Sequence, residues 1–191
     1  DYLKLGFDHI WSGLDHLLFV AGLMILAGSI RRVLVAVTGF TIAHSITLSL
    51  SALGLIHVPI PPVEAMIALS ILFLAREIAR PTPDGLARRF PILVSSSFGL
   101  LHGLGFAAAL REIGLPRTET AVGLLFFNVG VEIGQILFIG AASASFLALR
   151  AALRALPPIP LPRAIETTTL AGYALGIPAA WWFLSRVAAF G

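Results

Sequence analysis

The stretch HIWSGLDHLLF, from His9 to Phe19, indicates how this chain folds. Most of it is apolar enough for lipid, yet it carries two histidines and an aspartate. Ionisable groups at membrane depth cost at least ~2.5 kcal/mol each by insertion scales, so they usually face a cavity or pair with one another. We therefore expect His9, Asp15 and His16 to face inward and to meet polar groups from other parts of the chain.

The composition indicates an integral membrane protein. Of the 191 residues, 58% are hydrophobic and only 12% are charged, whereas a soluble domain of this length needs far more charge on its surface. Several apolar runs approach or exceed the roughly 20 residues that a helix needs to cross a bilayer. We expect a single transmembrane helical domain over residues 1–191, embedded in a lipid bilayer, which we take to be the inner membrane of a bacterium.

The charge pattern and the residue types exclude nucleic-acid binding and cysteine-based sites. The net charge of +3 does not indicate nucleic-acid binding, because the arginines lie in short connections between apolar runs rather than on one face. The chain has no cysteine, which excludes disulfides and thiolate metal sites. It starts at Asp1 rather than Met, and we expect an extracytoplasmic segment or signal upstream of it.

The apolar runs predict an all-α fold, a polytopic bundle of about six transmembrane helices. Backbone groups in lipid must be hydrogen-bonded internally, and no strand pattern competes with this reading. The expected spans cover residues 9–28, 33–53, 63–79, 90–110, 120–147 and 165–187. Proline-rich connections at HVPIPP, His57–Pro62, and RPTPDG, Arg80–Gly85, separate three of them because proline does not continue a helix.

The distribution of basic residues predicts that both termini lie on the extracytoplasmic side of the membrane. The connections after the first, third and fifth spans hold the larger basic set, and such connections are usually cytoplasmic. This set consists of Arg31, Arg32, Arg80, Arg88, Arg89, Arg150, Arg154 and Arg163, whereas the opposite side holds Lys4, Arg111, Arg117 and Arg186.

With this orientation, most intramembrane polar residues fall in the outer half of the bilayer. They belong to different spans, and their convergence at one depth predicts a shared polar interior. Carboxylates and imidazoles without thiolates suit a borderline divalent metal such as nickel, cobalt, zinc or ferrous iron. The candidate metal ligands are His9, Asp15, His16, His44, Glu64, His102 and Glu132.

Helical spacing limits how these residues can act together. His9 and His16 share a face of one helix but differ in height by about 10 Å. One ion with bonds of roughly 2.1 Å cannot contact both unless the intervening WSG departs from helix; otherwise they mark successive stations on a path. Gly99 and Gly103 flank His102, so we expect a neighbouring backbone to approach closely there.

Three functions remain open at this point. The first is a permease that captures a divalent metal and passes it inward along the polar residues. The second is an intramembrane zinc hydrolase acting on a lipid or lipidated substrate, with water in the open metal position. Its residues would be His16, His44 and His102 for zinc, Asp15 or Glu132 as general base, and Ser45 to orient substrate or water. The third is a structural subunit whose polar groups only fix helix packing.

The ordered motifs resemble the second branch of the HupE/UreJ family of membrane proteins. His9, Asp15 and His16 match its H-x5-D-H motif. The segments TIAHSITLSL, PPVEAMIALSI, FGLLHGLGFA and FNVGVEIGQ resemble its other blocks, and the similarity covers nearly all of the chain. The resemblance implies a nickel or cobalt permease in which His9, Asp15 and His16 are metal residues.

The same resemblance implies partners and reveals one departure. Family members are associated with hydrogenase and urease gene clusters, so a second copy of the chain or metalloenzyme-maturation proteins are the expected protein partners. The better-studied branch has a second motif of the form F-H-G-x-A-x-G-x-E, whereas this chain reads LHGLGFAAA at Leu101–Ala109. The motif glutamate is absent, and we expect Glu132 or Glu64 to replace it.

Overall fold

The computed structural model describes residues 1–82, 84–113, 120–155 and 167–190, with side chains described outside 107–113. The described residues are almost all helical and contain no strand, which confirms the all-α prediction. The basic residues Arg117 and Arg163 and the side chain of Arg111 lie outside this description.

Eight helices follow one another along the described residues. They are α1 Tyr2–Ser12, α2 Leu14–Ala27, α3 Ile30–Ala52, α4 Ile60–Ala79, α5 Leu86–Arg89, α6 Pro91–Ile113, α7 Thr120–Ala155 and α8 Thr167–Ala188. Among them, α3 and α7 are each long and apolar enough to cross a membrane, and the pair α1–α2 forms a third, bent candidate.

The first expected span is two helices rather than one. α1 ends at Ser12 and α2 begins at Leu14, and the two axes are bent by 71°. Gly13 between them has extended dihedral angles, φ −83° and ψ 93°. Its backbone still joins both helices, because its N–H donates to the His9 carbonyl and its carbonyl accepts from Leu17 N–H.

Two other boundaries differ from the sequence-based expectation. The prolines of HVPIPP do not all lie in a connection, because α4 begins at Ile60 and includes Pro61 and Pro62 in its first turn. Proline is favoured there, since the first-turn N–H groups have no partner within the helix. Helix α7 continues to Ala155, beyond the expected end near residue 147.

Glycines bring the main helix pairs into close contact. A Cβ at Gly99 or Gly103 of α6 would overlap the backbone oxygens of Phe40 and His44 in α3. This confirms the close backbone approach expected beside His102. Gly130 of α7 lies in the same way against the backbone of α1. Each of these contacts depends on the absence of a side chain.

The packed interior contains two apolar clusters. The larger joins α2, α3 and α4 through fully buried side chains that include Phe19, Phe40 and Leu74. The smaller includes Ile10 and Phe127 and joins α1 to α7. The histidines lie between these clusters, because their rings contact aromatic residues of both.

Candidate metal site

The bend at Gly13 brings the two histidines of the first motif together. The ring centroids of His9 and His16 are 4.6 Å apart, whereas on one straight helix the residues would differ in height by about 10 Å. One ion can contact both histidines only if the helix between them is interrupted, and the helix is interrupted at Gly13. The two residues can act at one site rather than as separate stations.

Four imidazoles from four helices meet around His16 of α2. The His16 ring lies 4.9 Å from the ring of His102 in α6 and 6.2 Å from that of His44 in α3, measured between centroids. His9 of α1 lies 6.0 Å from His44. Helices that are distant in sequence thus converge on one chamber, which we call the imidazole chamber: His9, His16, His44 and His102.

The chamber contains two overlapping sets of potential metal ligands. His9, His16 and His44 offer one nitrogen each within 4.8 Å of one another, and Asp15, His16 and His102 form a second such set. Donors on a tetrahedral ion with bonds of about 2.1 Å lie about 3.4 Å apart. Small inward movements of the rings would close either set around an ion, and His16 belongs to both.

Hydrogen bonds orient two of the imidazoles. His16 Nδ1 lies 3.1 Å from Asp15 Oδ1, and His44 Nδ1 lies 3.4 Å from Asn128 Oδ1. The Asn128 amide is held by a bond of 2.7 Å from its Nδ2 to the Leu124 carbonyl, so its oxygen faces His44. When these oxygens accept from Nδ1–H, the lone pair of each imidazole is on Nε2, where a metal can bind it.

Ser70 orients a third imidazole, that of His102. Ser70 donates its hydroxyl proton to the Ile67 carbonyl at 2.6 Å, so its oxygen is available to accept from His102 Nε2–H, 3.5 Å away. This leaves the lone pair of His102 on Nδ1. The role of Ser70 was not predictable from its sequence position, because a small hydroxyl residue in an apolar helix is common without such a role.

Each imidazole keeps one buried nitrogen without a hydrogen-bond partner among the described residues. These atoms are His9 Nε2, His16 Nε2, His44 Nε2 and His102 Nδ1. An unsatisfied buried polar atom costs about 1–3 kcal/mol, and aromatic rings such as Phe40 and Phe106 enclose the histidines further. A shared cation would satisfy several of these nitrogens at once.

The two glutamates proposed as ligands lie elsewhere. Neither belongs to a ligand set among the described residues. Glu64 Oε2 is 3.2 Å from Arg186 Nε, and Glu132 Oε1 accepts a hydrogen bond of 2.6 Å from Thr38. The hydroxyl of Ser45 donates to the Thr41 carbonyl on its own helix.

A cavity of about 340 Å³ lies next to the site and is lined by Asp15, the chain neighbour of His16. Asp15 also belongs to the ligand set with His16 and His102. Its other lining residues are Ser12, Gly13, Leu14, Glu64, Ile67, Ala68, Trp182 and Arg186. A hydrated ion in the cavity would therefore meet a carboxylate before it meets imidazole.

The apolar helices indicate an integral membrane protein, and its packed interior encloses the imidazole chamber. The family model described as HupE / UreJ protein matches residues 1–186, and the chain belongs to that family. No curated protein and no solved structure matches the chain.

Proposed function

We propose that the protein is a membrane permease for a divalent transition metal, nickel or cobalt, and that the imidazole chamber is its substrate site. The observation that carries this proposal is a set of four buried imidazole nitrogens around His16 that find no partner within the part of the chain that the structure describes. Structural histidines normally satisfy both ring nitrogens when they are buried. The HupE/UreJ family is associated with nickel and cobalt transport, which supports the same substrate class.

The proposed orientation places the cavity at the outer membrane surface. We propose six spans, α1–α2, α3, α4, α6, α7 and α8, with both termini outside and the basic connections in the cytoplasm. The bent first span then presents Asp15 to the cavity and its two histidines to the chamber. A cation would lose part of its hydration shell at Asp15 before reaching nitrogen ligands.

The two overlapping ligand sets suit transport better than permanent storage. A cation bound by Asp15, His16 and His102 can exchange two ligands for His9 and His44 while His16 remains bound. Transport requires binding that is strong enough for capture but divided over several sites so that the ion can leave. Neutral imidazoles are exchangeable ligands, and the carboxylate supplies compensating negative charge.

The zinc hydrolase remains the alternative, because the ligand set with Asp15 borders a cavity that has room for water and substrate. Two residues considered for that chemistry have other partners. Ser45 donates to its own helix, and Glu132 accepts from Thr38. A tightly held stoichiometric zinc together with no uptake of any divalent metal would favour the hydrolase.

Uptake into proteoliposomes tests the permease directly. We expect purified wild-type protein to admit radioactive Co²⁺ or Ni²⁺, and His16→Ala and His102→Ala to lower the initial rate by about 10–100-fold because they remove ligands. His57→Ala is the matched control, since His57 is exposed in the connection before α4 and should behave as wild type. Wild-type vesicles without uptake, or equal rates in all four proteins, would contradict the proposal.

A further inference from the structure

A second polar cluster lies between α3 and α7. The Thr38 hydroxyl donates to Glu132 Oε1 at 2.6 Å, and the Thr41 hydroxyl lies 2.9 Å from Gln135 Oε1. Each helix contributes residues three positions apart, which share one face. We call these four residues, Thr38, Thr41, Glu132 and Gln135, the oxygen cluster, because they contain no imidazole.

The oxygen cluster is displaced from the imidazole chamber along the helix axes. The bond between His44 and Asn128 marks the level of the chamber on α3 and α7. From that level, Thr41 and Thr38 lie about 4.5 and 9 Å towards the N-terminus of α3. Glu132 and Gln135 lie about 6 and 10 Å towards the C-terminus of α7. Both directions lead towards the side of the membrane on which Arg31 and Arg32 lie, and we propose that this side is cytoplasmic.

Two atoms of the cluster are buried without a hydrogen-bond partner among the described residues. They are Glu132 Oε2 and Gln135 Nε2, and Gln135 is only 1% exposed. A carboxylate oxygen that is removed from water and left unpaired is costly unless a proton or a cation accompanies it. The unpaired oxygen of Glu132 therefore calls for an accompanying proton or cation.

The bonds of Thr41 indicate a second free oxygen. Its one hydroxyl proton has two acceptors within reach, the Val37 carbonyl at 3.1 Å and Gln135 Oε1 at 2.9 Å. Turning the Gln135 amide by half a revolution resolves the conflict: Nε2–H donates to Thr41, and Thr41 donates to Val37. The carbonyl oxygen of Gln135 then joins Glu132 Oε2 as an unpaired oxygen ligand.

We propose that the oxygen cluster is a second cation site, which receives the divalent metal after it leaves the imidazoles. The proposal rests on the permease function. Borderline metals bind nitrogen donors more tightly than carbonyl or carboxylate oxygen, so a step from the imidazole nitrogens to oxygen ligands lowers the affinity on the cytoplasmic side. The cation would be released there, with Glu132 supplying the negative charge.

Mn²⁺ binding tests the site independently of transport, because Mn²⁺ favours oxygen ligands. Bound Mn²⁺ is counted by the loss of the free-ion EPR signal in purified protein. We expect Glu132→Gln to remove one equivalent that His16→Ala retains. Asp84→Asn, which removes an exposed carboxylate in the connection before α5, should match wild type. An unchanged count in Glu132→Gln, or loss of the same equivalent in His16→Ala, would overturn the proposal.

Co²⁺ separates binding at the imidazoles from passage through the cluster. We expect Glu132→Gln to keep the visible spectrum of imidazole-bound Co²⁺ while its uptake rate falls by about tenfold or more. Thr38→Val keeps the carboxylate but removes its donor, and should give a smaller loss with the same spectrum. Uptake at the wild-type rate in Glu132→Gln, or an equal loss of the Co²⁺ spectrum, would contradict the proposal.

The two proposals fail in different ways. If wild-type protein neither transports Co²⁺ nor binds it through imidazole, the permease function fails whatever the Mn²⁺ count is. If wild-type transport is intact but insensitive to Glu132→Gln, only the second site fails. Glu132→Gln could also leave Co²⁺ uptake intact at one pH and alter it at another. That result would assign a proton to Glu132 and would also overturn the metal site.

Discussion

Gly13→Ala adds one methyl group at the bend between α1 and α2. A Cβ at this position would lie 2.8 Å from His16 Nδ1, 2.9 Å from the His9 carbonyl oxygen and 3.0 Å from Asp15 Oδ1. Ordinary contacts of this kind begin at about 3.5 Å. The His16 ring, the His9 carbonyl and the Asp15 carboxylate must therefore move by about 0.5–0.7 Å.

The backbone itself tolerates alanine at this position. The dihedral angles φ −83° and ψ 93° lie in or beside the extended region that L-residues adopt. The substitution thus acts through the contacts of the new methyl group, with two side chains of the site and with the His9 carbonyl oxygen, and not through a forbidden conformation. Alanine also favours helix over glycine by about 1 kcal/mol, which adds a tendency for α1 and α2 to straighten and for His9 to leave His16.

Binding constellations need their groups within about 0.5 Å of the productive geometry. Loss of a supporting contact typically lowers metal affinity by 10–100-fold, which is about 1.4–2.7 kcal/mol. We predict a loss of this size in Co²⁺ affinity, measured by titration calorimetry. Helix content measured by circular dichroism should remain at the wild-type value.

Gly140→Ala is the matched control, because a Cβ there meets nothing within 4 Å. It adds the same methyl group to the long apolar helix α7 without touching the chamber, and its Co²⁺ affinity should equal that of wild type. The reasoning is refuted if Gly13→Ala and Gly140→Ala bind Co²⁺ equally tightly, since the bend would then not determine the site.

Three further predictions concern the support of the chamber, its access and the helix contact behind it. Asn128→Leu removes the acceptor that orients the α3 imidazole and should weaken Co²⁺ binding by about 10–100-fold in calorimetry. Glu64→Gln leaves Arg186 unpaired at the cavity and should raise the KM for Co²⁺ uptake, whereas Arg186→Gln should lower it. Because this pair is half-exposed, each change should be about 1.5–5-fold, and the double variant should return towards wild type. Gly103→Ala forces apart α3 and α6 and should lower the melting temperature in detergent, as an overpacking cost of about 1–3 kcal/mol. Gly105→Ala, which meets only the flexible end of an isoleucine and a valine methyl, should lower it far less.

Much of the fold was predictable because it depends on local patterns. Apolar runs of membrane length specify helices, and most expected boundaries lie within a few residues of the observed ones. The small residues beside His102 correctly indicated close helix packing. The break at Gly13 was not predictable as such, because a single glycine in an apolar run is compatible with a continuous helix.

The site was predictable in type more than in arrangement. Histidines within apolar runs are expensive to bury, so their convergence followed from energetics. Glu64 and Glu132 were expected at the same depth, but depth does not specify which way a helix faces. Arg186, distant in sequence, neutralises Glu64, and Thr38 of another helix binds Glu132. Such long-range pairings depend on helix rotation, which spacing alone does not determine.

X-ray absorption of Co²⁺ bound to the purified protein tests the central claim most directly. With the metal in either ligand set, the spectrum should contain at least two imidazole nitrogens at about 2.1 Å, and His16→Ala should remove the ligand common to both sets. A first shell of oxygen atoms alone, or an imidazole count unchanged in His16→Ala, would contradict the account.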